Sequence, residues 1–97
     1  MKAEYDSTAD ALSIDIRTDV DSWDSTEAVD DDYCHVALTG GEAVNVELLS
    51  PAEHLELLAR AADRFGLDAQ ELEAAARSAL AAPDRRVTLQ VGAPLGS

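Results

Sequence analysis

The residues able to do chemistry are few, and their spacing decides what each can do. Cys34 and His35 are adjacent, which invites a thiolate–imidazole pair, yet they lie in an alternating segment, Tyr33 to Leu38. Neighbours on a strand point to opposite faces. Cys34 therefore reads as a small buried hydrophobe and His35 as a surface or edge residue. His54 falls in the first turn after Ser50-Pro51, where the helix dipole disfavours a protonated imidazole, so it is given no catalytic role. A Cys34/His54 pair across space is the remaining nucleophile reading.

Asp19, Asp21 and Asp24 offer oxygens to a hard cation within one loop. The calcium-loop spacing fails, because Trp23 stands at the fifth position, Asp24 replaces the required Gly and no Glu closes the loop. A solvated loop is preferred over Asp19–Asp24, with calcium binding as an alternative. Asp30-Asp31-Asp32 likewise reads as a charged turn before a ligand cluster. Nucleophile motifs, phosphate-binding glycines and Cys/His metal spacings are missing, and Gly40-Gly41 has neither a following helix nor a Lys. Catalytic, cofactor-binding and metal-ligating residues are assigned to none.

Charge is more telling than motif. Twenty acids against seven bases leave −13, and residues 1–50 carry 13 acids against Lys2 and Arg17, or −11. Residues 51–97 carry seven acids against five Arg, or −2. Such a field repels nucleic acid and anionic membrane and speeds encounter with a basic partner; solubility is the competing explanation. Arg60 and Arg64 share a helix face, and Arg85 and Arg86 precede the last alternating segment. They either pair locally with acids such as Glu56 and Asp63 or meet the acidic sheet of a neighbouring molecule. One cysteine excludes an internal disulfide. No apolar run approaches the ~20 residues of a membrane span, and Lys2 is followed by Glu4 and Asp6. The chain reads as soluble, unexported and cytoplasmic.

The elements that must position these residues start with two short strands, Lys2–Tyr5 and Ala11–Arg17, around a turn that Asp6 and Asp10 fix through side chain to backbone bonds. Thr18–Ser25 is a loop. Thr26–Val29, Tyr33–Leu38 and Glu42–Leu49 follow as strands. A three-residue loop over Thr39-Gly40-Gly41 pairs Leu38 with Glu42, Val36 with Val44 and Cys34 with Val46, keeping the apolar sets on one face, with Gly41 at positive φ. Ser50, Pro51 and Glu53 form a capping box, opening a helix to Phe65 with Leu55, Leu58, Ala62 and Phe65 inward and Gly66 as its stop. Asp68 and Glu71 repeat the signature for a second helix to about Ala82, with Leu72, Ala76, Ala79 and Leu80 inward. Arg86–Val91 is a last strand, at the sheet edge or paired with a second copy. Residues 92–97 are a tail.

The opening Tyr5-Asp6-Ser7-Thr8-Ala9-Asp10-Ala11-Leu12-Ser13-Ile14 and the strand Val44-Asn45-Val46-Glu47-Leu48-Leu49 resemble, over residues 5–49, the small bacterial family called domain of unknown function 2283, with Val29-Asp30-Asp31 fitting its middle. Ser7 stands where that family usually has Pro and Asn45 where it has Gly, and Thr39-Gly40-Gly41 replaces an acidic turn. The resemblance implies a small antiparallel sheet without catalytic residues to transfer, and relatives that accompany toxin-like partners.

At 97 residues with four aromatics, the expectation is a single α+β domain with a thin core. An antiparallel meander of about four strands (1–50) is followed by two helices (51–82) packed on one face and a final short strand (86–91). The expected function is a non-enzymatic acidic interaction protein for a basic partner, antitoxin-like or a nucleic-acid mimic. Self-association as a homodimer is expected through the open sheet edge. The alternative is an enzyme or ligand-binding protein with a pocket between sheet and helices, using Asp10, His35 or His54.

Overall fold

A computed structural model describes residues 1–20 and 22–89. The alternating segments become strands β1 (Lys2–Asp6), β2 (Ala11–Asp15), β3 (Ser25–Asp30), β4 (Cys34–Thr39), β5 (Glu42–Leu49) and β6 (Arg86–Thr88). They form one antiparallel sheet in the order β3-β4-β5-β2-β1-β6. The α+β class holds, but the meander of about four strands does not. Strand β5 returns to lie beside β2, and the 16–24 loop carries the chain out to the far edge. Alternation fixes which face a side chain takes and leaves its neighbour open. Burial supplies the reason for the pairing: Leu12 opposes Leu48 and Ile14 opposes Val46, joining four fully buried side chains at the sheet centre.

The turn of β1–β2 is built as its acids require, with Asp6 Oδ1 accepting the backbone N–H of Thr8 (3.0 Å) and Ala9 (3.1 Å). The Gly40-Gly41 hairpin corrects the three-residue loop. Thr39 opposes Glu42 and Leu38 opposes Ala43 across a two-residue turn with both glycines at positive φ, 58° and 84°. The register then slips, so Ala37 faces Asn45 and Val36 faces Val46. The extra residue sits within β5 at Val44, which keeps the apolar sets together as well as the expected loop would have done.

Ser50 does not cap a helix. It lies in the left-handed region (φ 46°, ψ 56°) without a side-chain bond, and leads into a single 3-10 turn, Pro51–Glu53. Helix α1 starts later, at Glu56, and runs to Phe65, stopped by Gly66 at φ 68°. Helix α2, Ala69–Ala81, carries the expected cap: Asp68 accepts the N–H groups of Gln70 (2.9 Å) and Glu71 (3.2 Å). The inward residues are Leu57, Leu58, Ala61 and Ala62 on α1, and Leu72, Ala75, Ala76 and Ala79 on α2. Leu55, Phe65 and Leu80 are only partly buried, so each stripe is turned slightly from its expected line.

Both helices cover the same sheet face, α1 over β3–β5 and α2 over β1, β2 and β6. The small alanines let the helix backbones approach, giving a core of Leu, Ile, Val and Ala with no buried polar side chain among the described residues. Strand β6 joins its own sheet, with Val87 opposite Ala3, and Leu89 N–H donates to Met1 O at 2.8 Å. The strand stops at Thr88, short of the expected Val91, with Leu89 beyond it; residues 90–91 and the 92–97 tail lie outside the described residues.

Candidate functional site

With one face under the helices, the other face of the sheet is bare, and the registers align its side chains in two rows. One runs Thr26, Ala37, Asn45, Asp15, Lys2, Thr88 from β3 to β6; the next runs Ala28, His35, Glu47, Ser13, Glu4, Arg86. These are the strand positions facing away from the helices, polar except for Ala28 and Ala37. Across the sheet the rows run from Thr26, Ala28, Ala37 and His35 on β3 and β4, through Asp15 and Glu47 at the centre, to Lys2, Glu4 and Arg86 on β1 and β6.

Each charge has a distinct setting. Arg86 Nε lies 3.6 Å from Glu4 Oε1, so the cationic end is partly satisfied within the protein. At the centre, Asn45 Nδ2 donates to Ser13 Oγ (2.8 Å) and to Asp15 Oδ1 (2.7 Å), orienting the Asp15 carboxylate without neutralising it. Neither Asp15 nor Glu47 has an ion-pair partner among the described residues. His35 stands opposite Glu47, with Nε2 3.1 Å from Asp31 O.

Trp23 supplies the wall. It leaves the 16–24 loop beside Thr26 and Ala37 and is 52% exposed, the largest apolar side chain left in solvent. The loop is tied down by Asp24, whose N–H donates to Leu38 O (3.0 Å) and whose Oδ2 accepts from Gly40 N–H (3.0 Å). Thr39 Oγ1 donates to Ser22 O at 3.2 Å. Two hollows of about 330 and 300 Å³ result, sharing Asp15, Trp23 and Arg86. Chemically the face offers carboxylate acceptors and an aromatic plane beside a small-residue floor.

The residues singled out from sequence are scattered. Cys34 is fully buried on the helix side, and its burial pushes the thiol up to about 11, which makes it inert. His35 points to the bare face, as strand alternation requires. His54 stacks on Tyr33 with ring centroids 3.9 Å apart and has Nδ1 3.0 Å from Ser50 O. Asp10 accepts the Tyr5 hydroxyl at 2.7 Å, which holds that phenol above its ordinary range. Asp10, His35 and His54 thus each have separate partners, and no hydrogen bond joins any two of them among the described residues. Between sheet and helices there is packed side chain. The hollow at that layer's end, about 350 Å³, is lined by Met1, Ile16, Leu67, Asp68, Glu71 and Leu72 instead.

In the Asp loop, Arg17 grips Asp19 through Nη2 (2.9 Å) and Nε (3.3 Å), which lowers the Asp19 carboxyl below its usual range. Asp21 lies outside the described residues, and no group of three or more metal-ligating side chains is found among the others. Asp30 Oδ1 accepts the N–H of Asp32 and Tyr33, both at 3.0 Å, forming the charged turn expected there. Arg64 reaches the sheet edge of its own chain, donating to Ala28 O (2.8 Å) and pairing with Glu27; the expected partners were local acids such as Asp63 or the sheet of a neighbouring molecule. Sequence reasoning missed Asn45 and Asp15 as a bonded pair and Trp23 as a wall; the polar phase of β2 and β5 was the available signal for the first.

No helix among the described residues is long and apolar enough to cross a membrane. No family model matches the chain, and no curated protein or solved structure matches it either.

Proposed function

We propose that the chain is a non-enzymatic interaction domain whose acidic sheet half receives a basic protein, in the manner of an antitoxin-like neutraliser or a nucleic-acid mimic. The observation that carries this reading is the bare sheet face, where Asp15 and Glu47 have no ion-pair partner among the described residues, within a half of the chain at −11. Of the two cations in that half, Arg17 is already held by Asp19 and Glu42. Complementary charge raises association rate and suppresses wrong partners.

A second copy is the other occupant with an observation behind it, since Lys2 and Arg86 share the face with Asp15 and Glu47 and two such faces can be mutually complementary. The tagged chain, used as bait in lysate of its native host, tests both. One basic protein retained at about 50 mM salt and reduced at about 500 mM supports the first reading, because screening at the higher strength confines charge effects to a few ångströms. A retained set indifferent to salt refutes it. A doubled mass by light scattering, with nothing else retained, supports the second.

A further inference from the structure

We infer that the hollow between Trp23 and the Asp15–Asn45–Glu47 centre is a seat for an arginine side chain of an extended basic segment, a conclusion that rests on the reading just given and names its point of contact. The geometry has two parts, and an arginine matches both. Trp23 and Ala37 line the same hollow, an exposed indole beside an almost fully covered methyl floor. A three-carbon stem fits between such surfaces, and a guanidinium stacks on an indole better than an ammonium does. Next along the row, Asn45 fixes the Asp15 carboxylate through a 2.7 Å bond, and Glu47 follows on the adjoining row. A planar five-donor group can meet the oriented Asp15 carboxylate and the Glu47 carboxylate together.

The alternatives fit less well. An anion would meet Asp15 and Glu47 unpaired. Arg86 lines the same hollow from its β6 end, where it lies beside Glu4, so a guest cation seats at the Trp23 end, away from that like charge. An acyl or aromatic guest would leave the carboxylates without a partner over the floor. The tied-down Asp24 backbone keeps Trp23 over the face, so the seat exists before the guest arrives.

Trp23 is the only tryptophan in the chain, so its emission reports the seat directly. The experiment titrates the full chain with nona-arginine and with nona-lysine at about 50 mM salt, following Trp23 emission and backbone amide shifts. The expected result is saturable binding of nona-arginine. It weakens about tenfold in the Asp15→Asn/Glu47→Gln double variant and several-fold in Trp23→Leu, as loss of two half-exposed ion pairs and one stacked contact would produce. Asp31→Asn/Asp32→Asn removes the same two charges from the turn and is expected to change affinity less than twofold. Both double variants are near-isosteric, Asp15 being half-buried and the other three positions exposed, and circular dichroism verifies their folding.

Equal weakening by the two double variants overturns the seat and leaves the general acidic reading standing. Equal affinity for nona-lysine together with an unaffected Trp23→Leu variant overturns the arginine assignment. A doubled mass by light scattering with no emission response places a second copy on the face and overturns it as well. Absence of binding by either peptide overturns both this inference and the reading beneath it.

Discussion

Two positions in the chain carry the same helix-start signature and are held differently, which makes their substitution a sharp test of the structure. Asp68 accepts two backbone N–H groups at 2.9 and 3.2 Å, whereas Ser50 makes no side-chain bond and sits at φ 46°. Asp68→Ala leaves two N–H donors of α2 to water and removes a negative charge from the positive end of the helix dipole. The cap loss costs about 1 kcal/mol, and for a domain near 100 residues that is a fall in melting temperature of about 4–8 °C. Ser50→Ala removes no bond and is expected within about 0.5 kcal/mol of the parent. Ser50→Gly relieves a left-handed backbone that costs a side chain about 1 kcal/mol, and should be neutral to stabilising. Urea unfolding followed by circular dichroism measures all three, with the slope checked for constancy so that midpoints compare as stabilities. A loss in Ser50→Ala as large as in Asp68→Ala, or a clear loss in Ser50→Gly, would refute the account and restore Ser50 as a working cap.

Two further outcomes are expected. Burial holds the Cys34 thiol at about 11 against an ordinary 9.0, so the folded state resists its ionisation. The stability this allows is complete below pH 9 and declines as pH rises towards 11; the difference between parent and Cys34→Ala should show that slope, and alkylation at pH 8 should be slow until urea is added. A pH-independent difference would count against it. Arg64→Ala removes the donor on Ala28 O at the β3 edge, and since an exposed edge pairs with other chains, light scattering at high concentration should rise while stability changes by less than about 1 kcal/mol.

The legible parts of this fold are those set by local chemistry. Asp68 with Gly66 marks a link between helices because a carboxylate at the cap and a residue tolerant of positive φ are demanded there by backbone geometry alone. The alternation of Leu12, Ile14, Val46 and Leu48 likewise announces one buried face. Strand order was not legible, because pairing β2 with β5 instead of β3 is decided by which apolar rows fill the space under the helices. The bulge was hidden by Ala43 and Val44, two adjacent apolar residues that both end up buried, so neither phase of the alternation stands out. For the candidate site, Ser13, Asp15, Asn45 and Glu47 are visible as the polar phase of their strands. Trp23 over that floor depends on long-range bonds from Asp24 to Leu38 and Gly40, which no local pattern encodes.

The pairing of Lys2, Ala3 and Glu4 with Thr88, Val87 and Arg86 also orders events during synthesis. The first strand leaves the ribosome before the last, and its outer backbone groups have no partner until that strand emerges some eighty residues later. Throughout that interval the nascent sheet can close from β2 to β5 while β1 offers a bare edge. Lys2, Glu4 and Asp6 lie along it, and like the charges that blunt sheet edges elsewhere they disfavour pairing with a neighbouring nascent chain. Charge on the first strand thus disfavours self-pairing for as long as the sheet is unfinished.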